Sequence, residues 1–304
     1  MNIQKICIFF LFTLLFQNQI LSQDKIIYHI FKNERQAIKK LKKIYPDNCL
    51  LKIETAKGNM LLILFNETPL HRDNFIKLID NKFYDSLLFH RVINNFMIQG
   101  GDPDSKRAKK EQLLGDGDVG NTIPAEFNSK LFHRRGMLCA AREGDDINPL
   151  KASSGCQFYI VQGKSHTDET LKKTEYRVNK EIIQKLTDEF LSKSENQNLK
   201  TKYNYYNENN LKDSLNIIKK QIDQFVLPEF EKTNHYQYSD FQKQVYKTIG
   251  GTPHLDNNYT VFGEVVFGSE VIDAIANSQT DSNDRPIEDI IMKITIIKAL
   301  KKIK

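Results

Sequence analysis

The chain predicts a mainly β domain interrupted by a helical block, and three observations carry that prediction. Short apolar or alternating runs recur at residues 50–55, 60–65, 87–92, 96–99, 136–141, 157–162, 259–266 and 290–297, the spacing of short strands. Only two short amphipathic helices share that frame. Between residues 163 and 251 the apolar period lengthens to about four, and Lys, Glu, Asn and Tyr displace Gly and Pro. Many short strands with few helices fit a sandwich or a closed antiparallel barrel; periodicity leaves the two open.

At the N-terminus, Lys5 precedes an apolar run over residues 6–16 and a polar exit ending at Ser22. The run is shorter than the ~20 apolar residues that span a bilayer and fits a secretory leader. Ile20 sits where a small residue is preferred, so an uncleaved anchor is the alternative. The expectation is an exported protein, periplasmic or secreted, with no stable membrane insertion once the leader is removed. Residues 34–45 read as a basic helix that Pro46-Asp47-Asn48 ends. Residues 50–55 and 60–65 read as a hairpin around Ala56-Lys57-Gly58-Asn59. Thr68-Pro69 opens a helix, Thr as cap and Pro in its first turn, with Phe75, Leu78, Ile79 and Phe83 on one side. The strands at 87–92 and 96–99 flank the turn Asn94-Asn95. Ser269 caps a second helix carrying Val271, Ile272 and Ile275. Ile290, Met292, Ile294 and Ile296 alternate as a final strand.

The inserted block reads as an antiparallel helical hairpin. Val178, Ile182, Leu186 and Phe190 mark one helix face, and Leu215, Ile218, Ile222 and Phe225 another. Residues 194–210, polar and Asn-rich, read as the loop between them. A shorter helix with Phe241, Val245 and Ile249 follows, with Ser239 as cap and Gly250 as stop. The domains are therefore a leader (1–22), a helical extension (23–48), the β frame in two parts (49–163 and 251–304) and the insertion (164–250).

The 304 residues include 44 basic and 38 acidic side chains, a net charge of +6. Both signs are dense and mixed, which argues for solubility and against a nucleic-acid groove, where cations cluster. Cys7 lies in the leader. Cys49, Cys139 and Cys156 are too few and too scattered for a disulfide framework, although a Cys139–Cys156 bridge stays open.

Residues 89–103, FHRVINNFMIQGGDP, are the most informative stretch. Arg91 stands five residues before the apolar pair Phe96-Met97, and Gln99 stands two beyond that pair. This run resembles the signature of the cyclophilin family of peptidyl-prolyl isomerases, close variants of FHR…FMxQGGD. Ser153 to Tyr159, SSGCQFY, resembles the family's NGSQFFI-type strand, with Tyr159 for the commoner Phe. Pro253-His254-Leu255-Asp256 with residues 259–263 resembles PWLDGxHxVFG, with His254 for Trp and Tyr259 for His. Ala141-Arg142 stands where many members carry Ala-Asn. The resemblance covers about residues 50–163 and 251–300. It implies a closed eight-stranded antiparallel barrel with two capping helices. It places Arg91 and Gln99 as catalytic residues, and Phe96, Met97, Ala141, Gln157, Tyr159, Leu255 and Tyr259 against the substrate. It says nothing of the insertion.

The chemistry fits those residue types. Rotation about an X-Pro bond crosses a barrier of ~20 kcal/mol because the C–N bond is partly double. It needs no nucleophile, metal or cofactor, so none is expected. It needs the imide nitrogen withdrawn from resonance and a site that fits the twisted bond. A guanidinium, charged at any ordinary pH, supplies fixed donors for the first; an apolar cup supplies the second. Lowering the barrier by about 7 kcal/mol gives about five powers of ten in rate. The expected partners are unfolded or proline-containing polypeptides, with no nucleic acid, and the expected state is a monomer. A client-binding protein on the same frame, working through the insertion, is the alternative.

Other motifs carry less. Gly115, Gly117 and Gly120 satisfy GxGxxG but lack the strand before and the helix after that a dinucleotide site needs; the loop resembles the glycine-rich loop beside the cyclophilin groove. Asp116 and Asp118 lack the Gly of a calcium loop. His71, His90, His133, His166 and His235 show no metal spacing.

Overall fold

The computed structural model describes residues 31–300; the expected leader lies outside them. The described residues fall into two compact units, divided between Pro46 and Asp47. The described part of the first carries helix α1 (Glu34–Ile44). Asn33 Oδ1 accepts from the Gln36 N–H at 3.0 Å, and Lys42 and Lys43 close the last turn, each complementing the helix dipole.

The second unit opens with the hairpin β1 (Leu50–Thr55) and β2 (Gly58–Leu64), followed by α2 (Pro69–Asp80), β3 (Arg91–Ile93) and β4 (Met97–Gly100). β5 (Thr122–Ile123), β6 (Met137–Ala140), β7 (Ser153–Ser154) and β8 (Phe158–Val161) come next. After the insertion come β9 (Val261–Phe267), α8 (Ser269–Ala276) and β10 (Met292–Lys298). Eight strands form one antiparallel sheet in the order β10-β1-β2-β9-β6-β8-β4-β3, and β5 pairs with β7 apart from it. The sheet curls around a single apolar cluster to which all eight strands contribute, from Leu51 of β1 to Ile294 of β10. Phe75 and Ile79 of α2 and Val271, Ile272 and Ile275 of α8 complete that cluster. β3 and β10 end the ladder. The expected strand at 87–92 is laddered only from Arg91; ahead of it Leu88 makes an isolated bridge to Ile291.

Two caps differ from expectation. Ser269 is the first residue of α8, and Gly268, at φ 81°, is its cap. Thr68 caps α2 by position, but its side chain makes no cap bond. Glu126 replaces it: its carboxylate accepts from the Leu70 and His71 N–H groups at 3.0 Å each. A carboxylate at a helix N-terminus also meets the dipole favourably.

The insertion is richer than a hairpin. It holds α3 (Asp168–Val178), α4 (Lys180–Ser192), α5 (Gln197–Glu208), α6 (Lys212–Phe230) and α7 (Asp240–Thr248). The segment expected as a loop is largely α5. Leu199, Tyr203 and Tyr206 of α5 pack on a cluster of Leu191, Ile218, Ile222 and Val226. Tertiary packing, not intrinsic propensity, stabilises so polar a helix. Val178 ends α3 and shares no face with Ile182, because the chain breaks at Asn179. Phe225 is 57 % exposed and stacks on Phe190 at 5.2 Å; Val226 takes the buried place expected for it. Ser239 caps α7 in a reciprocal box with Gln242, as the sequence predicts. The insertion leaves and returns at one point, where Gly251 N–H donates to the Lys164 carbonyl at 3.0 Å.

Cys49, Cys139 and Cys156 are all free and buried. Among the described residues no helix is long and apolar enough to cross a membrane.

Two histidines held away from water, His90 buried and His254 partly so, set an acid limit on this fold. Burial pushes His90 down to about 4, offset in part by Asp102, and neither ring nitrogen makes a well-formed hydrogen bond. Burial and the Arg177 charge push His254 down to about 4. Both rings stay neutral in the folded state while the unfolded chain takes up protons near 6.5. Stability is therefore lost as pH falls from about 6.5 towards 4, by up to about 1.4 kcal/mol per pH unit for each ring. Thermal melts between pH 7 and 4 are expected to show this decline and His90→Phe to flatten it; an unchanged slope in the variant would remove His90 from the account.

Candidate active site

Strand register assembles the site. Arg91 pairs across β3 and β4 with Gln99, Gln99 across β4 and β8 with Tyr159, and Tyr159 across β8 and β6 with Cys139. Cross-strand partners share a face and sequence neighbours take the other. Val92, Ile98, Phe158, Ile160 and Leu138 therefore fill the interior, and the row from Arg91 to Tyr159 lies on the outer face of the sheet. The Gly-Gly turn makes the close approach possible: Gly101 has φ 97°, and a Cβ there would run into the Cys156 carbonyl.

On that outer face Arg91, Phe96, Met97, Gln99, Ala141, Arg142, Tyr159, Leu255 and Tyr259 surround a cavity of about 150 Å³. Every expected site residue except Gln157 is on its wall. Arg91 is 44 % exposed, with its Nε 3.5 Å from Asp284 and an Nη 3.5 Å from the Gln99 Oε1. Both contacts are long and leave the guanidinium able to turn to a ligand. Gln157 stands behind Gln99. Its Oε1 accepts from Gln99 at 3.0 Å, and its amide nitrogen donates to the Gly115 and Gly117 carbonyls at 2.7 and 2.8 Å. The GxGxxG loop thus anchors a site amide.

The apolar wall is aromatic. Tyr159 is buried between Tyr259, centroids 6.0 Å apart and edge-on, and His133, 6.2 Å apart and stacked. Burial pushes its phenol well above the usual range, so it stays protonated. His254 stacks on Phe96 at 5.6 Å, its lowered basicity keeping the ring neutral over an apolar partner. Arg142 lies 4.4 Å from the Tyr259 ring centroid, and its guanidinium is already engaged by the Asn258 and Glu143 carbonyls and Asp145, at 2.6, 2.7 and 2.7 Å. It is a wall, not a free donor. His254, Arg142 and His133 carry no sequence signal of these contacts, except that a Tyr at position 159 needs a partner for its hydroxyl.

A sheltered apolar cup beside a cation and an amide suits a ring held by shape while its backbone meets directed donors. A family model described as "Cyclophilin type peptidyl-prolyl cis-trans isomerase/CLD" matches residues 50–206 and 170–297. A Staphylococcus haemolyticus protein named "Putative peptidyl-prolyl cis-trans isomerase" is 26 % identical over 83 % of this chain and 92 % of its own length. A Staphylococcus aureus protein of the same name is 28 % identical over 79 % of this chain and 87 % of its own. The crystal structure of a Cryptosporidium parvum cyclophilin type peptidyl-prolyl cis-trans isomerase covers 83 % of this chain and 99 % of that one at TM-score 0.48 and 20 % identity. With the matched segments spanning both parts of the β frame, the chain belongs to the cyclophilin-type peptidyl-prolyl cis-trans isomerases.

Proposed function

We propose that this isomerase turns X-Pro bonds in exported chains as they fold, acting as a monomer. The observation that carries the site reading is the cavity that gathers Arg91, Phe96, Met97, Gln99 and Tyr159 on one face. Arg91 is the electrostatic catalyst. Phe96, Met97, Tyr159 and Leu255 hold the proline ring, with Ala141 and Tyr259 completing the wall. Gln99 holds the substrate backbone, and Gln157 acts with it through their mutual hydrogen bond. The closed barrel is supported by hydrogen bonds between the ends of the ladder: Phe89 N–H to the Ile290 carbonyl at 2.9 Å and Met292 N–H to the Leu87 carbonyl at 2.8 Å.

Export rests on the leader-like N-terminus. Fractionation and N-terminal sequencing are expected to give an extracytoplasmic protein beginning after Ser22. A cytoplasmic protein that keeps Met1 would end that reading; a membrane-bound one that keeps it would favour the anchor.

One observation favours a second reading, in which the insertion also grips the client chain. A groove of about 500 Å³ is lined by Tyr176, Ile183, Tyr203, Ile222 and Leu227 together with Lys180 and Lys219. Lys180 pairs with Asp145 at 3.0 Å, and Asp145 holds Arg142 of the cavity wall, so groove and cavity are neighbours. Tyr203→Ala is expected to slow proline-limited refolding of a protein about threefold or more while leaving a tetrapeptide unaffected. Equal rates on both would remove the gripping role.

A further inference from the structure

The hydroxyl of Tyr159 enters a buried chain of hydrogen bonds that ends in the insertion. It lies 3.1 Å from Nε2 of His133. The other ring nitrogen, Nδ1, and the backbone N–H of His133 both reach Oδ1 of Asp256, at 2.8 Å each. The second carboxylate oxygen, Oδ2, accepts from the Tyr246 hydroxyl at 2.6 Å and from the Tyr236 hydroxyl at 3.3 Å. Tyr246 belongs to α7, and Tyr236 to the segment ahead of it. The side chains of His133 and Asp256 are 1 % and 2 % exposed, and Tyr246 is fully buried.

Three consequences follow from this geometry. A carboxylate buried from water must be satisfied by directed donors. Two of its four donors here come from the insertion, so the barrel cannot hold Asp256 as it stands without it. Nδ1 of His133 faces the carboxylate, and Nε2 is left to the Tyr159 hydroxyl as its hydrogen-bond partner. The angle of the Tyr159 ring against the cavity is then fixed from its far end. A second anchor acts beside Leu255 of the wall: the Tyr238 hydroxyl, also from the insertion, donates to the Pro253 carbonyl at 2.6 Å, in the short turn that carries His254 and Leu255. Asn179, at the junction of α3 and α4, grips Tyr236 by both its N–H and its carbonyl, at 3.0 and 2.9 Å. That ties the anchor to the helical block.

We propose that the insertion sets the shape of the proline cup from behind, with Tyr246, Asp256 and His133 as positioning residues that hold Tyr159. A phenylalanine at position 159 would leave this chain nothing to hold. The tyrosine makes the cup's geometry depend on Tyr246, eighty-seven residues away in sequence. The inference rests on the reading of this cavity as the proline site.

The test uses the full chain and changes one oxygen at a time. Tyr246→Phe and Tyr159→Phe are each expected to raise KM for an X-Pro tetrapeptide about three- to tenfold with kcat changed less than about twofold. The double variant is expected to match Tyr159→Phe alone, because both act through one path. In Tyr246→Phe the ¹⁵N resonances of His133 are expected to shift, a signature that a remote packing loss would not give. Tyr236→Phe, at the longer contact, is expected to have the smaller effect. A lower Tm with unchanged KM in Tyr246→Phe, or additive effects in the double variant, would overturn the proposal. An Arg91→Ala arm separates the two levels. If that variant keeps full activity, the site reading fails. If it is inactive while Tyr246→Phe behaves as wild type, only the positioning chain fails.

Discussion

Arg91→Ala is expected to lower kcat/KM for an X-Pro tetrapeptide by about 10²–10³ without unfolding the protein. The magnitude follows from what one directed donor contributes in a sheltered site, about 3–4 kcal/mol of transition-state stabilisation. The fold should not suffer. The guanidinium is 44 % exposed and its ion pair to Asp284 is long at 3.5 Å; such surface pairs contribute about 0–1 kcal/mol. The inward neighbour Val92 does the packing at this strand. Arg91→Lys is expected to recover little, because an ammonium lacks the flat fork that reaches both the imide region and Gln99. A coupled peptide assay, with circular dichroism as the control for folding, checks this. Equal kcat/KM in wild type and Arg91→Ala would remove Arg91 as the electrostatic catalyst.

Gly163→Ala is expected to destabilise the protein by about 3 kcal/mol or more, the largest effect we expect of a single methyl group. Gly163 stands at the start of the insertion with φ +66°, and an added Cβ would come within 2.6 Å of the Gly251 nitrogen and carbonyl carbon. Both obstacles are backbone at the end of the insertion and cannot swing aside. The left-handed conformation alone costs a residue with a Cβ about 1–2 kcal/mol; the clash adds a forced shift of the crossing where Gly251 N–H meets the Lys164 carbonyl. Gly120 provides the contrast. It too has positive φ, at +80°, but open space around it, so Gly120→Ala is expected to cost only about 1 kcal/mol. Urea denaturation of the two variants separates strain from clash. Equal midpoints would mean that the crossing yields, and that the insertion's ends are not pinned together.

Much of the site is legible in the sequence because it is local. Arg91, Phe96, Met97 and Gln99 lie within nine residues, and a two-residue period sends Arg91, Met97 and Gln99 away from Val92 and Ile98. The remaining wall is legible only through resemblance, since Ala141, Tyr159, Leu255 and Tyr259 come from three other segments. Misreadings fall where distant partners override local signals. Thr68 has the form of a cap, but Glu126, fifty-eight residues on, does the capping. Residues 197–208 have the composition of a loop, yet they find apolar partners on α6. Gln157 stands behind Gln99, where two glycine carbonyls from the 115–117 loop hold its amide nitrogen.

What the chain by itself determined was its strands, most of its helices and the chemical kind of its site, because period and composition act over a few residues. What the tertiary structure alone decided was the row Arg91–Gln99–Tyr159, the helical count of the insertion, and the buried carboxylate it shares with the β frame. Register, burial and the satisfaction of polar groups depend on partners tens of residues away, and no local pattern encodes which partner arrives.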